Sequence, residues 1–484
     1  MSSVNIETHM LRLVDLALSA SFEKIVGVLL ITAWITSVLK GSNQKNIANI
    51  PIHNASRLWP AMVSQLNFVT KARSIISSGY QKWKNRNISN LHFLNRSDLH
   101  AQVMKRKLTP ELSKFLKIAS KELDYGWNLD IPQTEDWAEV DIQQISRMLV
   151  ARMSARMFIG LPACRDAEWI KVTIDYTMDA FTTAFFLRMF PTWMRPVIAA
   201  ILPSRYRLRR CRDKAEEVMG ARMKKHFDAQ RAKQRGELVD DEADETLVDW
   251  MLDNGTEQET TLAEMANRQC TMTLASIHTT STNTATFLFE LCEHPEWFPV
   301  IREEIDQVKE QMGDEEIDYR RWHSRLEKMD SFLMECFRMH PPILLNPQRV
   351  ALSAYTLKDG THIPEGARVA FASAEHQMDP AVTPDPLTFD PMRSYRKRYS
   401  SPDQQDRHQA VLTDIDNNLT FGYGNQACPG RFLGVAEIKM LVARLLTEFD
   451  FKYPEGKSMP RTLSADENVF LDPKATLMMR KRKA

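Results

Sequence analysis

Cysteine is scarce in this sequence, and its spacing excludes two kinds of site. Six cysteines occur among 484 residues, and the closest pair, at 270 and 292, is 22 positions apart. Structural zinc sites need cysteines a few positions apart, and disulfide-stapled domains concentrate many cysteines in a short chain. The spacing therefore favours reduced thiols on the cytosolic side over a zinc finger or a disulfide framework.

An excess of charge of either sign is also missing. Lys and Arg number 63 against 62 Asp and Glu, which gives a formal net charge of +1. A basic surplus is the usual signature of a nucleic-acid partner, so none is predicted. Repeats and low-complexity tracts are absent, while 43% of the residues are hydrophobic and 26% are charged. This composition is typical of an ordered globular protein, with length enough for about three average domains.

Charge is entirely absent from residues 25–39, which Lys24 precedes and Lys40 follows. Fifteen residues span roughly 22 Å as a helix, short of the ~30 Å hydrocarbon core, and the long stems of the two lysines extend that reach. We expect a membrane anchor within residues 1–45. A buried helix and a cleaved signal peptide are the alternatives.

The residues after this stretch predict its orientation. Lys40, Lys45 and Arg57 follow it without neighbouring acids. Positive charge next to a membrane span marks the cytoplasmic side. The remainder of the chain, 46–484, is therefore expected to form one folded body that faces the cytosol.

Residues 421–434 place Cys428 between a turn and a helix. Gly422, Gly424 and a proline after the cysteine indicate the turn, whereas the apolar residues from Phe432 onward recur at helical spacing. Unpaired amides and the positive end of the dipole at a helix N-terminus favour a thiolate. We therefore expect Cys428 to lose its proton more readily than a cysteine in a helix body and to face a metal. A small buried hydrophobe is the alternative.

Four of these positions, Phe421, Gly424, Cys428 and Gly430, fit the pattern Phe-x-x-Gly-x-x-x-Cys-x-Gly. Through them the chain resembles the cytochromes P-450, which are haem-thiolate monooxygenases. The resemblance implies a mainly α-helical fold with a small β domain, and haem b whose iron is ligated by Cys428 and approached by Phe421. Gln426 stands where many relatives carry an arginine or histidine that meets a haem propionate, so part of that charge is expected to be neutralised elsewhere.

A single long helix is predicted across residues 262–293. Thr261 and Glu264 form a capping-box signal at its start, and His294 with the following proline marks its end. Thirty-two residues give about 48 Å. The middle, residues 275–282, is rich in hydroxyls, which bond back to the carbonyl four residues earlier and open a groove beside the helix.

The hydroxyl-rich segment also matches a family pattern. Residues 275–280, Ala-Ser-Ile-His-Thr-Thr, align with Ala/Gly-Gly-x-Asp/Glu-Thr-Thr. The resemblance implies that Thr279 relays protons during the reaction with dioxygen. His278 replaces the usual acid; because histidine titrates near neutrality, a proton relay and a satisfied core histidine both stay open. The His-Thr-Thr variant resembles a fungal branch that oxidises terpenoids and related natural products.

Three further cations are candidates for the haem propionates. Arg349 aligns with a family arginine of that role, and Lys105 and Arg106 begin a helix that lies under the propionates in relatives. A surface arginine and a solvated basic face are the respective alternatives. Helices are also predicted at 136–160, 166–189 and 205–235, and a small sheet around 349–370.

Two groups of charged residues complete the resemblance. Glu335, Arg338 and Arg393 fit a buried Glu-Arg-Arg network behind the haem, a structural role. Basic residues near the thiolate side are expected to steer an acidic electron-delivery partner, for which the resemblance implies NADPH-cytochrome P-450 reductase; a basic surface with no partner is the alternative. These residues are Arg396, Lys397, Arg398, Arg431 and Lys439.

Only sixteen residues separate Trp83 from His100, where relatives use several times that length. The chain is thus either shortened there or builds an open pocket. We expect a single-pass enzyme of the endoplasmic reticulum membrane that oxidises a lipophilic natural product with electrons from NADPH. A reductase-independent isomerase or dehydratase, and a truncated non-catalytic haemoprotein, are the rival hypotheses.

Overall fold

The computed structural model describes residues 97–188, 190, 194–237, 245–313, 318–415, 418–465 and 467–483. The predicted anchor within 1–45 and most of the short segment 83–100 lie outside these residues. Within the described ranges, none of the helices combines the length and the apolar character that crossing a bilayer requires.

Helices dominate the described chain. Numbered in order, they are α1 (Leu99–Val103), α2 (Leu112–Asp130), α3 (Ile142–Phe158), α4 (Ala167–Arg188), α5 (Arg195–Ile201), α6 (Pro203–Gln234), α7 (Leu247–Asn254), α8 (Leu262–Glu293), α9 (Trp297–Met312), α10 (Tyr319–Arg325), α11 (Glu327–Met339), α12 (Ser373–Gln377), α13 (Arg393–Arg398) and α14 (Arg431–Glu448). A π-helical turn, Met104–Leu108, continues α1.

The strands are short and antiparallel. They are β1 (Ala138–Val140), β2 (Gln348–Val350), β3 (Tyr355–Thr356), β4 (His362–Ile363), β5 (Arg368–Ala370), β6 (Phe449–Lys452), β7 (Thr462–Ala465), β8 (Asn468–Leu471) and β9 (Leu477–Lys481). β1, β9 and β6 form a three-stranded sheet in that order, and β2–β5, β3–β4 and β7–β8 are separate pairs. The sequence prediction of a mainly helical fold with a small β part is confirmed.

The long helix α8 has the predicted bounds and organises the core. It packs against α3, α4, α6, α11 and α14. Phe287 on α8 meets Phe332 on α11 with ring centroids 4.5 Å apart, and both rings are buried. The predicted capping box is wrong, because Thr261 makes no side-chain bond to the first turn.

The helix predicted for 136–160 begins later than expected. Its first part forms β1, because Ala138 and Val140 pair with Met479 and Leu477 of β9. Asp141 then caps α3 by accepting a hydrogen bond from the Gln144 amide at 2.8 Å. Pairing with a strand more than three hundred residues away decides the boundary, and no local pattern reports such a partner.

Candidate functional site

The loop that holds Cys428 has the predicted turn-to-helix form. Gly422 and Gly424 adopt φ values of 76° and 68°, a region that favours glycine. The Cys428 amide donates to the Phe421 carbonyl at 2.8 Å, which closes the loop. The Phe421 ring packs edge-on against Phe337 of α11 at 5.5 Å. The cysteine is thereby fixed three residues before the first residue of α14.

The acidity of Cys428 differs from the expectation. Amides of Gly430 and Arg431 donate toward its sulfur, and with the Arg431 charge they lower its pKa as predicted for a helix start. Burial outweighs them, so the pKa of the thiol in the ligand-free protein lies above its ordinary value. Coordination to a metal cation supplies the missing stabilisation of a thiolate, since metal ligation and proton release are coupled.

The basic residues near Cys428 are mostly turned inward, which corrects the prediction of a five-residue basic surface. Lys439 is 2% exposed and lies 2.5 Å from the Asp330 carboxylate. Arg398 is buried beside Glu327 at 3.2 Å. Arg431 donates to the carbonyls of Cys428 and Val411, both at 2.9 Å. These three cations hold the loop and its helix in place rather than facing a partner.

The middle of α8 has one open face among mostly buried residues. Ala275 and Thr279 are exposed and Thr282 is partly exposed, at the spacing of one helix face; we call these three residues the open stripe. The Thr279 hydroxyl donates to the Ala275 carbonyl at 2.7 Å, the predicted back-bond. The neighbouring Thr280 is buried against Gly434 of α14. The open stripe therefore lies at the crossing of α8 with the helix that follows the cysteine.

His278 has a defined partner on another helix. Its Nε2 lies 2.9 Å from the Ile174 carbonyl on α4, so this nitrogen carries the proton and donates it. Burial lowers the pKa of His278, and the charge of Arg147 lowers it further. The imidazole thus holds α4 to α8 as a neutral donor; its role in proton relay stays a prediction.

Lys105 lies against the cysteine loop, and its contact with a haem propionate stays a prediction. Its ammonium group donates to the Asn425 carbonyl at 3.1 Å. The neighbouring Met104 comes within 3.3 Å of where a Cβ on Gly430 would stand. Arg106 is exposed on the same π-helical turn. Gln426 is exposed at the end of the short turn Gly424–Gln426 that precedes the cysteine.

Arg349 occupies the middle of β2, opposite Val369. Its guanidinium donates to the Gln348 carbonyl at 2.8 Å, and burial lowers its pKa. Among the described residues no carboxylate forms an ion pair with it. A half-buried cation without an internal anion suits a ligand that brings its own negative charge.

Asn346 is a positioning residue that the sequence interpretation missed. Its side-chain amide donates to the carbonyls of Leu419 and Thr420, both at 3.1 Å, which fastens the start of the cysteine loop to the chain after α11. The only sequence signal at this position is the Asn-Pro dipeptide, which indicates a turn. Leu344, two residues upstream, is fully buried in a small cluster with Ala374 and Val469.

The predicted Glu-Arg-Arg network is confirmed. Arg338 and Arg393 both point at Glu335, with closest nitrogen–oxygen distances of 2.6 and 3.4 Å. Arg338 also donates to the Pro386 carbonyl at 2.6 Å, and Arg393 to the Pro384 carbonyl at 2.7 Å. The network thus fixes the segment after α12 against α11.

The residues at this site fit an iron porphyrin. Cys428 offers a sulfur beside two amides, and Gly430 allows close approach of the backbone. The open stripe leaves one helix face clear of protein side chains. Lys105 and Arg349 supply cations for acidic substituents. Of the described residues, no group of three His, Cys, Asp or Glu could hold a separate metal ion.

Comparisons with known proteins agree with this geometry. The cytochrome P-450 family model matches residues 17–479. The chain is 38% identical to the cytochrome P-450 monooxygenase ATR4 of Stachybotrys chlorohalonatus, over 92% of this chain and 93% of that protein. It is 33% identical to an ent-kaurene oxidase of Fusarium fujikuroi, over 93% of this chain and 91% of that protein.

A solved structure extends the agreement to the fold. Retinoic acid-bound cyanobacterial CYP120A1 superposes with a TM-score of 0.59 at 16% identity, covering 80% of this chain and 79% of that one. At this identity the likeness concerns architecture alone. Together with the family match over nearly the whole chain, it shows that the protein belongs to the cytochrome P-450 family of monooxygenases.

Proposed function

We propose that this monooxygenase inserts one oxygen atom from O₂ into a lipophilic natural product, with a terpenoid as the favoured substrate class. The observation that carries the proposal is the open stripe of Ala275, Thr279 and Thr282 at the crossing of α8 with the cysteine helix. The ent-kaurene oxidase among the relatives supports an apolar terpenoid substrate.

The chain's own residues have distinct tasks in this proposal. Cys428 would hold the iron, and Lys105 and Arg349 would receive the propionates. When bound, the haem supplies the oxygen-activating chemistry, which a thiolate ligand favours. Thr279, whose hydroxyl is held by the bond to the Ala275 carbonyl, would donate protons from the open stripe. The amide of Asn283 donates to the Thr279 carbonyl at 2.8 Å and steadies this turn.

Electron supply and location belong to the same proposal. Two electrons come from NADPH through NADPH-cytochrome P-450 reductase, one oxygen atom enters the substrate and the other leaves as water. The enzyme works at the endoplasmic reticulum membrane, anchored by residues 25–39. The charge-free composition of that stretch supports this placement.

The decisive experiment expresses the full chain with a reductase and measures the carbon monoxide difference spectrum, then product formation from a terpenoid panel. A thiolate-type Soret band that Cys428→Ser abolishes and Cys292→Ser retains is expected, together with NADPH-dependent oxygenated product. Cys292 is a suitable control because it is a partly exposed cysteine at the far end of α8.

Other outcomes separate the rival hypotheses. Product formation without NADPH or reductase would contradict the proposal and would support the isomerase or dehydratase hypothesis. Absence of the Soret band in the wild-type chain would remove the enzyme reading and favour a non-catalytic haemoprotein.

A further inference from the structure

A cavity lies between α4 and α6, and it is not lined by any residue described at the cysteine site. Its volume is about 420 Å³. It is lined by Tyr176, Arg205, Leu208, Arg209, Arg212 and Asp213. We call it the arginine groove. Three of its six lining side chains are cations and one is an anion, so its wall carries a surplus of positive charge.

The arginines share one face of α6. Positions 205, 209 and 212 follow the spacing of residues that are neighbours on a helix surface, where like charges repel. Arg212 has an ion pair with Glu216 at 3.3 Å. Among the described residues, neither Arg205 nor Arg209 has a carboxylate within ion-pair distance. Two adjacent cations are thus left without an internal anion.

Two other arginines of the same helix have carboxylate partners. Arg207 pairs with Asp179 of α4, and the buried Arg222 pairs with Asp249 of α7. The exposed Arg207 therefore finds a carboxylate on the neighbouring helix. Arg205 and Arg209 face a cavity instead.

The remaining walls add an apolar surface and a neutral donor. Leu208 lies between the two arginines in the sequence, and the half-buried Tyr176 closes the groove from α4. Burial raises the pKa of Tyr176 to about 12, so its hydroxyl is neutral at physiological pH. On α5, immediately before α6, Val197 and Ile201 are 59% and 46% exposed. Cationic and apolar surfaces therefore lie close together along the chain.

We infer that the arginine groove binds the carboxylate or phosphate group of an amphipathic molecule, through Arg205 and Arg209, with Tyr176 as a neutral hydrogen-bond donor. Guanidinium groups match the oxygen pairs of both anions. Asp213, eight residues and about 12 Å further along the helix, limits the anion to the Arg205 end of the groove. The anion belongs either to a free amphiphile or to a lipid headgroup. This site is separate from the cysteine site and does not depend on its chemistry.

The test uses the purified full chain, the double variant Arg205→Gln/Arg209→Gln and a charge-matched control, Arg210→Gln/Lys224→Gln. Arg210 and Lys224 are exposed on the same helix but do not line the groove. Calorimetry measures binding of dodecanoate, of inorganic pyrophosphate and of uncharged dodecanol. A flotation assay compares phosphatidylserine-containing with pure phosphatidylcholine vesicles.

We expect the groove variant to weaken binding of dodecanoate and pyrophosphate by about tenfold or more, while the control stays within about twofold. That result identifies a free amphiphile. Loss of only the phosphatidylserine preference in the groove variant identifies a lipid headgroup. If the groove variant and the control behave alike in every assay, or the wild-type chain binds neither anion nor prefers anionic vesicles, the inference is overturned.

Discussion

The Thr280 hydroxyl oxygen lies 3.6 Å from the position that a Cβ on Gly434 would occupy. This is ordinary contact distance for one methyl group and leaves no room for a longer side chain. The two residues mark where α8, which carries Thr279, crosses α14, which follows Cys428. The spacing between the two sides of the site is therefore set by a residue without a side chain.

Gly434→Ala is expected to keep full haem content, because its methyl group fits and alanine favours helix by up to about 1 kcal/mol. Gly434→Leu forces α14 away from α8 at a cost of about 1–3 kcal/mol and should reduce haem content. The ratio of Soret to protein absorbance in the two purified variants measures this. Equal ratios would show that the crossing does not set the spacing.

Thr279→Ala removes the hydroxyl that we assign to proton delivery. Product formation should fall by about a hundredfold, the scale of one general acid, while NADPH oxidation continues and hydrogen peroxide accumulates. Thr271→Ala is the matched control, since its hydroxyl makes the same back-bond to Asn267 two turns upstream at 2.9 Å. Parallel losses of product and NADPH oxidation in Thr279→Ala would instead indicate a structural role.

The buried carboxyl of Glu437 is expected to make the stability of the fold depend on pH. The residue is fully buried with its nearest hydroxyl, that of Ser154, at 3.5 Å, and burial raises its pKa from 4.5 to about 8. A carboxyl with a raised folded-state pKa favours folding below about pH 4.5, and this contribution is lost as pH rises to about 8. The loss is on the order of 5 kcal/mol.

Glu437→Gln removes this titration. Its melting temperature relative to wild type should rise between pH 5.5 and pH 8.5, measured by circular dichroism on the haem-loaded protein. Glu455→Gln, at an exposed position, should show no such change relative to wild type. A constant difference between Glu437→Gln and wild type at both pH values would contradict the assignment.

Glu335→Gln should destabilise the fold by about 3–5 kcal/mol, because it leaves the buried Arg338 without a compensating charge. Arg396→Gln breaks an exposed pair with Asp390 and should cost at most about 1 kcal/mol. Soluble yield and thermal unfolding of the two variants give the comparison. Similar melting temperatures would show that the backbone carbonyls around Arg338 suffice.

The sequence predicted those features that depend on local pattern. The end of α8 follows from the His-Pro signal after Glu293, and the turn before Cys428 follows from glycines that need positive φ. Features that depend on tertiary partners could not be predicted from the sequence. The sequence predicts that Lys439 is a surface cation, but an ion pair with Asp330 on another helix holds it in the core. The sequence indicates only a turn at Asn346, but its side chain binds the start of the cysteine loop.

The same dependence on tertiary structure explains why the direction of the pKa shift of Cys428 was predicted wrongly. A helix N-terminus is visible in the sequence, and it lowers the pKa as expected. The depth of burial is visible only once the chain is folded. Because desolvation opposes the amides, the sign of the net shift could not be read from the motif alone.

The inward placement of Lys439, Arg398 and Arg431 has a consequence for how this protein meets an electron donor. Diffusional encounter is accelerated by charges that project into the solvent, and that acceleration disappears as ionic strength rises. Cations that are paired with internal carboxylates or bonded to internal carbonyls contribute little to the electrostatic field in the solvent. The salt dependence of electron transfer should accordingly rest on exposed cations such as Arg396 rather than on these three residues.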